Sequence, residues 1–476
     1  MARIPLTGGA YMAKSIIASA QRCLNLYPEP NPEGSPSPFT YYPRPGLRKI
    51  LSPPQVGTAR GFYRASNGNA YYVVGYIIYA VSSQWVLTAL GTMQQSANSI
   101  VSMADNGVDM LIVDGSPNGY VINLATGAFS TIVNAAFYGA DFVQYVDTYF
   151  VLNRPGYPVM YISLSNSTSF DSTDFASKTG YPDNIVGLQI THREVWLIGS
   201  VATEVWYNTG ASDFTFGPIS GVYIEHGCCA SYSIAKQDLS IYWLSQDQQG
   251  HLMVLEGNSY QAKRVSTFAI EVEFQSYDTF DDAIGFTYQF QGHTFYQLNF
   301  PTANKTWVYD ASTGLWHEES WIDGDGIHNR HRGNCSGFAY GLNVVGDWQN
   351  GDLYALDPTI YQDFGGTIEF LRSFPHIEAD GKRLFHRQFI ADMEVGTAAG
   401  TTLDEEPMVS LRWSDTRGAS WGNKIQTSLG AAGEYLTSMQ FQRLGLARDR
   451  VYELSWSAPY KTALNGAWLD VKSSAS

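Results

Sequence analysis

The sequence predicts an all-β protein: a propeller-like repeat of antiparallel sheets with an additional β-sandwich-like module. Three observations predict it. Tyr, Phe and Trp number 31, 24 and 12 in 476 residues, and aromatic side chains suit the half-buried pleated surface of a strand. Charged residues make up only 15% of the chain, against about 25% in an ordinary soluble domain. Short alternating strands recur every ~40–50 residues, the period of a four-stranded propeller blade, with 45 Gly and 20 Pro to supply turns.

A chain this long exceeds the ~100–200 residues of one ordinary domain, and it reads as three parts. Residues 1–55 form an extended, Pro-rich N-terminal arm. A helix-compatible stretch, Ala13 to Cys23, precedes six prolines between Pro28 and Pro43, which argue against a helix or a central strand there. The arm is expected to lie across a surface or reach a neighbour, so removal of residues 1–45 should leave a folded monomer that fails to assemble.

Residues 56–364 form the propeller-like body. Its units run in order through Ala70–Tyr79, Asp109–Val113 with Gly119–Gly127, Asp147–Leu152 with Pro158–Ile162, and Arg193–Ile198 with Thr203–Tyr207. Leu239–Leu244 with His251–Leu255, His293–Leu298 with Lys305–Trp316, and Gly341–Val345 with Gly351–Leu356 complete the series. Trp307-Val-Tyr-Asp-Ala-Ser-Thr-Gly-Leu-Trp316 is the clearest hairpin, an alternating strand, a polar turn and an aromatic opening the next strand. Radial repetition leaves each sheet only short edges. From residue 365 to 476 the period breaks into longer strands, at 385–396, 407–413, 435–443 and 451–457, as in a β-sandwich.

Charge is unevenly placed. Residues 1–60 hold seven Lys/Arg and two Asp/Glu, 61–380 hold 11 and 32, and 381–476 hold 11 and ten. So acidic a middle region will not grip nucleic acid, because binding a polyanion needs Lys and Arg to displace counterions. It can surround DNA without holding it. The four cysteines are too sparse for a disulfide framework, and the chain is expected to fold in a reducing cytosol. No secretory signal is read at the N-terminus, and no apolar run approaches the roughly 18 residues of a spanning helix.

Motifs that could carry chemistry favour structural readings. Ser414-Asp415-Thr416-Arg417-Gly418-Ala419-Ser420-Trp421 resembles the Asp-box hairpin of sialidases, with Thr416 where the box has Asp; it is expected to form a turn. His328, His331 and Cys335 fall short of the four ligands of structural zinc, and His226, Cys228 and Cys229 offer less. Asp278, Asp281 and Asp282 with Glu271 and Glu273 could supply a glycosidase carboxylate pair, yet they read as a solvated face. No catalytic, cofactor-binding or metal-ligating residue is assigned, and no cofactor is expected.

Three ordered stretches carry a family resemblance. They are Arg22-Cys-Leu-Asn-Leu-Tyr-Pro-Glu29 with Tyr41-Tyr-Pro-Arg-Pro-Gly-Leu47; Ile185-Val-Gly-Leu188, Val195-Trp-Leu-Ile-Gly-Ser200 and Glu204-Val-Trp-Tyr-Asn-Thr-Gly210, then Gly227-Cys-Cys-Ala230 and Tyr242-Trp-Leu-Ser245; and Trp413-Ser-Asp415, Gly418-Ala-Ser-Trp-Gly422, Arg443 to Trp456 and Leu464-Asn-Gly-Ala-Trp-Leu-Asp470. In these the chain resembles the packaged-DNA stabilisation proteins of short-tailed bacteriophages, also called tail hub or nozzle proteins.

The resemblance implies a non-enzymatic virion protein, folded and assembled in the host cytoplasm. It implies a hexameric ring below the portal and adaptor that closes the filled head, retains packaged DNA and forms part of the ejection channel. It also implies docking of tail spikes or fibres, passage of double-stranded DNA without specific binding, and no membrane anchor. The alternative is a carbohydrate-binding or glycosidase-type propeller acting as a receptor-binding tail component.

Overall fold

The computed structural model describes residues 2–473 except 5, 7, 95–98, 397–406 and 431–432. Among the described residues there are seven four-stranded antiparallel blades and one α-helix, Phe268–Gln275. Blade I comprises Ala59–Arg64, Ala70–Val74, Ile77–Val81 and Leu87–Thr92. Blades II to VI begin at Ser102, Val143, Ile185, Ala235 and Ile284, and each runs strand by strand outward. Blade VII comprises Gly333–Ala339, Leu342–Asp347 and Leu353–Asp357, and its fourth strand is Gly46–Leu51 from the N-terminus.

The inner strand of blade VII lies against that of blade I and closes the ring. Side chains stitch the seams: Arg60 of blade I reaches Asp114 of blade II at 3.2 Å, and Asn334 of blade VII donates to the Ala59 carbonyl of blade I at 2.8 Å. Both charges of the Arg60–Asp114 pair are buried, and Arg60 also donates to the carbonyls of Ser99 and Gly75.

Local sequence explains the tight hairpins. Asp147-Thr148, His192-Arg193 and Ser259-Tyr260 each place two consecutive residues at positive φ, the backbone of two-residue turns whose twist matches that of the paired strands. The blades interlock through aromatic residues. Trp243 is wholly buried and donates its indole N–H to the Gly227 carbonyl at 2.9 Å. Gly257 leaves room for it, since a Cβ there would stand 2.6 Å from the Trp243 ring and 2.9 Å from Trp196.

The C-terminal residues form a sandwich of two sheets, but they do not build it alone. One sheet is ordered Met439–Ala447, Leu384–Glu394, Ala463–Ser473, Phe39–Pro43, Leu26–Pro30, with Ala2–Ile4 also on Ala463–Ser473. The other is continuous with blade VI. The strand Cys23–Leu24 lies parallel to Leu315–Glu319 on one side and antiparallel to Phe370–Ser373 on the other, so ten strands form one sheet. Phe370, Phe389, Phe441, Tyr452, Leu454 and Leu469 fill the space between the sandwich sheets, in one core cluster with Trp307 and Trp316 of blade VI.

The segment expected as an extended arm lying across a surface or reaching a neighbour is built into the two domains by its described strands. Its strands pair within the chain: Ala2–Ile4, Leu26–Pro30 and Phe39–Pro43 in the sandwich, Gly46–Leu51 in blade VII, and Cys23–Leu24 between the two. Pro28 and Pro30 are tolerated because Leu26–Pro30 is the last strand of its sheet, where a missing N–H costs no ladder bond. The helix-compatible stretch Ala13–Cys23 forms no helix: it holds the short strand Ala20–Gln21, which pairs with Tyr11–Met12, and leads into Cys23–Leu24.

It follows that deleting residues 2–51 should not leave a folded monomer. Such a chain should be recovered as aggregate, without the near-ultraviolet dichroism of packed aromatic residues. A soluble truncated monomer with a native-like thermal transition would contradict the shared-strand architecture.

Candidate functional site

The residues singled out in the sequence are drawn into structural roles. Ser414 Oγ accepts from the Gly418 backbone N–H at 2.8 Å, and Thr416 Oγ1 accepts from that of Ser420 at 2.8 Å, closing the Ser414–Trp421 turn. Asp415 grips Arg450 at 2.6 and 2.9 Å, and the Arg412 guanidinium lies over the Trp421 ring.

The five carboxylates do not converge. Glu271 pairs with Arg264 and accepts from Ser266 Oγ at 2.6 Å, Glu273 accepts from Tyr277, Asp282 accepts from the Thr302 N–H, and Asp278 and Asp281 are exposed. His226 is half-buried and Cys228 donates to the Ala230 carbonyl at 3.1 Å. Burial pushes the thiols up, Cys23 to about 11 and Cys228 and Cys335 to about 12, so they remain protonated and weakly nucleophilic at neutral pH. Among the described residues no three His, Cys, Asp or Glu side chains are grouped to hold a metal ion.

His328 serves the junction between propeller and sandwich, and His331 the seam between blades VI and VII. His328 bonds Ser320 Oγ and Glu369, both at 2.8 Å, and Lys424 reaches Glu369 at 3.0 Å. Burial pushes the Glu369 carboxyl up, but the bonds from His328 and Lys424 outweigh it and hold it at about 2. His331 is wholly buried; its Nδ1 accepts the Gly333 N–H at 3.1 Å and lies 3.1 Å from Gln297 Nε2.

Sequence reasoning gives no signal for the centre of this junction, Arg44 and Asp363. Both are 1% exposed, paired at 2.6 and 3.1 Å. Arg44 also donates to Asn25 Oδ1 at 2.9 Å and to the Ser320 carbonyl at 3.0 Å. Asn25 in turn donates to the Glu369 carbonyl at 2.8 Å. One network therefore joins the N-terminal segment, the propeller and the sandwich. Arg372, also buried, donates to Gln21, to Tyr41 and to the carbonyls of Gly9 and Arg22. The composition allows this: the few charges spent inside the fold act as ties.

On the surface, a cleft of about 650 Å3 opens beside the helix, lined by Lys14, Asp247, His251, Arg264, Phe268 and Val272 among others. Of its ionic groups, His251 pairs with Asp247 at 3.0 Å and Arg264 with Glu271. What it offers is apolar: Phe268 is 71% exposed. Such a surface suits a protein contact better than acid–base chemistry.

Residues 2–361 match the family described as bacteriophage P22 Gp10, beta-propeller, and residues 369–472 the one described as bacteriophage P22 Gp10, beta-sandwich. The chain belongs to the P22 Gp10 family. It is thus a phage tail structural protein of the kind that stabilises packaged DNA. No curated protein matches it.

Solved structures similar to the chain share 9% identity. One is the extracellular domain of a hybrid two-component system from B. thetaiotaomicron, at TM-score 0.45 over 69% of this chain and 46% of that one, so the chain spans about half its length. Others are a chain of the Mitotic Checkpoint Complex, at 0.43 over 70% and 96%, and the WD40 beta propeller domain of Doa1, at 0.41 over 66% and 98%. No helix among the described residues is long and apolar enough to cross a membrane.

Two outcomes follow for the junction. Arg44→Met strands Asp363 as a buried, unpaired charge and should cost about 3–5 kcal/mol in urea unfolding, while the R44M/D363L pair should recover much of the loss; no recovery would contradict the assignment. The second concerns pH. Burial, reinforced by Arg44 and partly offset by Glu319, lowers His331 to about 4, and burial with Arg450 does the same to His386. Unfolded histidine titrates near 6.5, so between about 6.5 and 4 the unfolded chain binds more protons and stability is lost as pH falls. His331→Gln with His386→Gln should flatten that slope; an unchanged slope would exclude both histidines as its source.

Proposed function

We propose that this chain is a subunit of the tail hub, or nozzle: a hexameric ring below the portal and adaptor. In this reading the ring closes the filled head, retains the packaged DNA, continues the ejection channel and docks tail spikes or fibres. The observation that carries it is the family match through both domains, from residue 2 to 472. The N-terminal strands knit these domains into one body, so the assembling unit is the whole chain.

Charge supports the channel role. Residues 61–380 hold 32 Asp/Glu against 11 Lys/Arg, and a wall of like charge repels phosphates and lets a duplex slide without specific contacts. The reading needs no catalysis and no cofactor. The carboxylates that a glycosidase would require are either exposed singly or occupied in bonds within the fold. Folding and assembly in the host cytoplasm before incorporation into the virion agree with four free thiols.

The test is mass. Native mass spectrometry of the purified chain should give a monomer, and addition to a portal–adaptor complex should add six copies. A stable monomer that ignores the complex but binds glycans would overturn the reading in favour of a receptor-binding component.

A further inference from the structure

One end of the sandwich gathers exposed cations around an apolar pair. Phe385 and Leu446 are directly opposed across antiparallel strands and are 47% and 44% exposed. Lys472 opposes Phe385 from the other side. Lys382 and Arg383 precede the Leu384–Glu394 strand, and Arg448 follows Ala447, the partner of Leu384, so all three stand at the same end. A bulge between His386 and Gln388 brings Arg387 beside Arg443, which adopts φ 58°. Arg387 reaches Asp470 at 3.6 Å. Lys382, Arg383, Arg443, Arg448 and Lys472 are exposed, and among the described residues none has an ion-pair partner.

The complementary surface lies on the outer edge of blade III. Its last strand, Phe170–Ser177, carries Asp171 and Asp174. Asp174 shares a small cleft with Asp213 and with Leu164, which is 44% exposed. None of these three carboxylates has an ion-pair partner among the described residues. Burial and the neighbouring Asp171 push the Asp174 carboxyl above its ordinary value, so a cation brought to this edge would relieve an existing repulsion.

The two surfaces cannot meet within one molecule. The sandwich continues the outer edge of blade VI, and blade III is three blades away, about 150° around the axis of a seven-bladed ring. A contact between different surfaces at opposite ends of one subunit is heterologous, and such contacts build rings when the rotation closes. The apolar pair at the centre of the basic patch favours a protein surface over a phosphate backbone, which would offer it nothing.

We propose that the Phe385/Leu446 patch with its ring of Lys and Arg docks on the Asp171/Asp174/Asp213 edge of blade III in a second copy of this chain. This contact is the lateral, head-to-tail interface of the assembled ring, and it rests on the tail-hub reading above.

The test loads the portal–adaptor complex with full-length chain and counts bound copies by native mass spectrometry. With lateral contacts, loading of the wild-type chain is all-or-none, at zero or six copies. The R383E/R448E and D171K/D174K variants change only residues on or near the surface, so their thermal transitions should match the wild type. Each alone should load at least about tenfold more weakly, with intermediate copy numbers. An equimolar mixture should restore all-or-none loading, because each reversed patch then faces its complement in alternate positions.

Wild-type loading by both variants would overturn this interface and leave the ring intact. Complete loading by R383E/R448E with loss of DNA retention would assign the patch to nucleic acid and overturn the proposal. A wild-type chain that never loads would sink the ring reading and this interface together.

Discussion

Everything in this fold depends on one short segment being in two places. Residues 20–51 pass between the propeller and the sandwich, and neither is complete without them. Cys23–Leu24 occupies the slot between Leu315–Glu319 and Phe370–Ser373, and Gly46–Leu51 supplies the last strand of blade VII. That strand is held closely: a Cβ on Gly46 would stand 2.4 Å from the Ile360 carbonyl oxygen, which accepts the Gly46 N–H at 2.8 Å. Ring closure thus joins residues about three hundred positions apart. Non-local closure slows folding, but it removes the open blade edge that would otherwise invite pairing with another chain.

Buried charge sets the geometry of that segment. Arg44, Arg60, Arg372 and Arg450 are among the largest fully buried side chains. A buried ion pair adds little net stability over a hydrophobic replacement, yet losing one partner is costly. The effect is selective: a misplaced N-terminal segment would leave Asp363 and the carbonyls of Ser320 and Glu369 unsatisfied together. With these charges inside, the remaining acidic excess lies mostly outside.

The middle two strands of every blade are legible in the sequence, because they are buried on both faces and read as apolar runs such as Asp109–Val113 and Glu194–Gly199. The inner and outer strands mostly are not, the start of Leu315–Glu319 at Trp316 apart. Gly333–Ala339 is interrupted by glycine, and Phe170–Ser177 is mostly exposed and polar; neither carries a hydrophobic alternation to detect. The N-terminal strands escape detection because their prolines outweigh their aromatic residues, and only the tertiary position of Leu26–Pro30 at a sheet edge makes those prolines harmless. Ile425–Ser428 and Ala463–Ser473 are likewise unseen in the sequence, and the strand expected over 435–443 lies at Met439–Ala447. The charge split between body and C-terminal module is visible in the sequence. The basic patch is not, because strand register and a bulge bring its members together.

If the shared segment makes propeller and sandwich one cooperative body, differential scanning calorimetry of the full chain gives a direct answer. The account predicts a single transition in which the calorimetric and van't Hoff enthalpies agree, since separating the domains requires breaking the ten-stranded sheet and opening blade VII. Two resolved transitions, with the sandwich melting while the propeller stays folded, would contradict it.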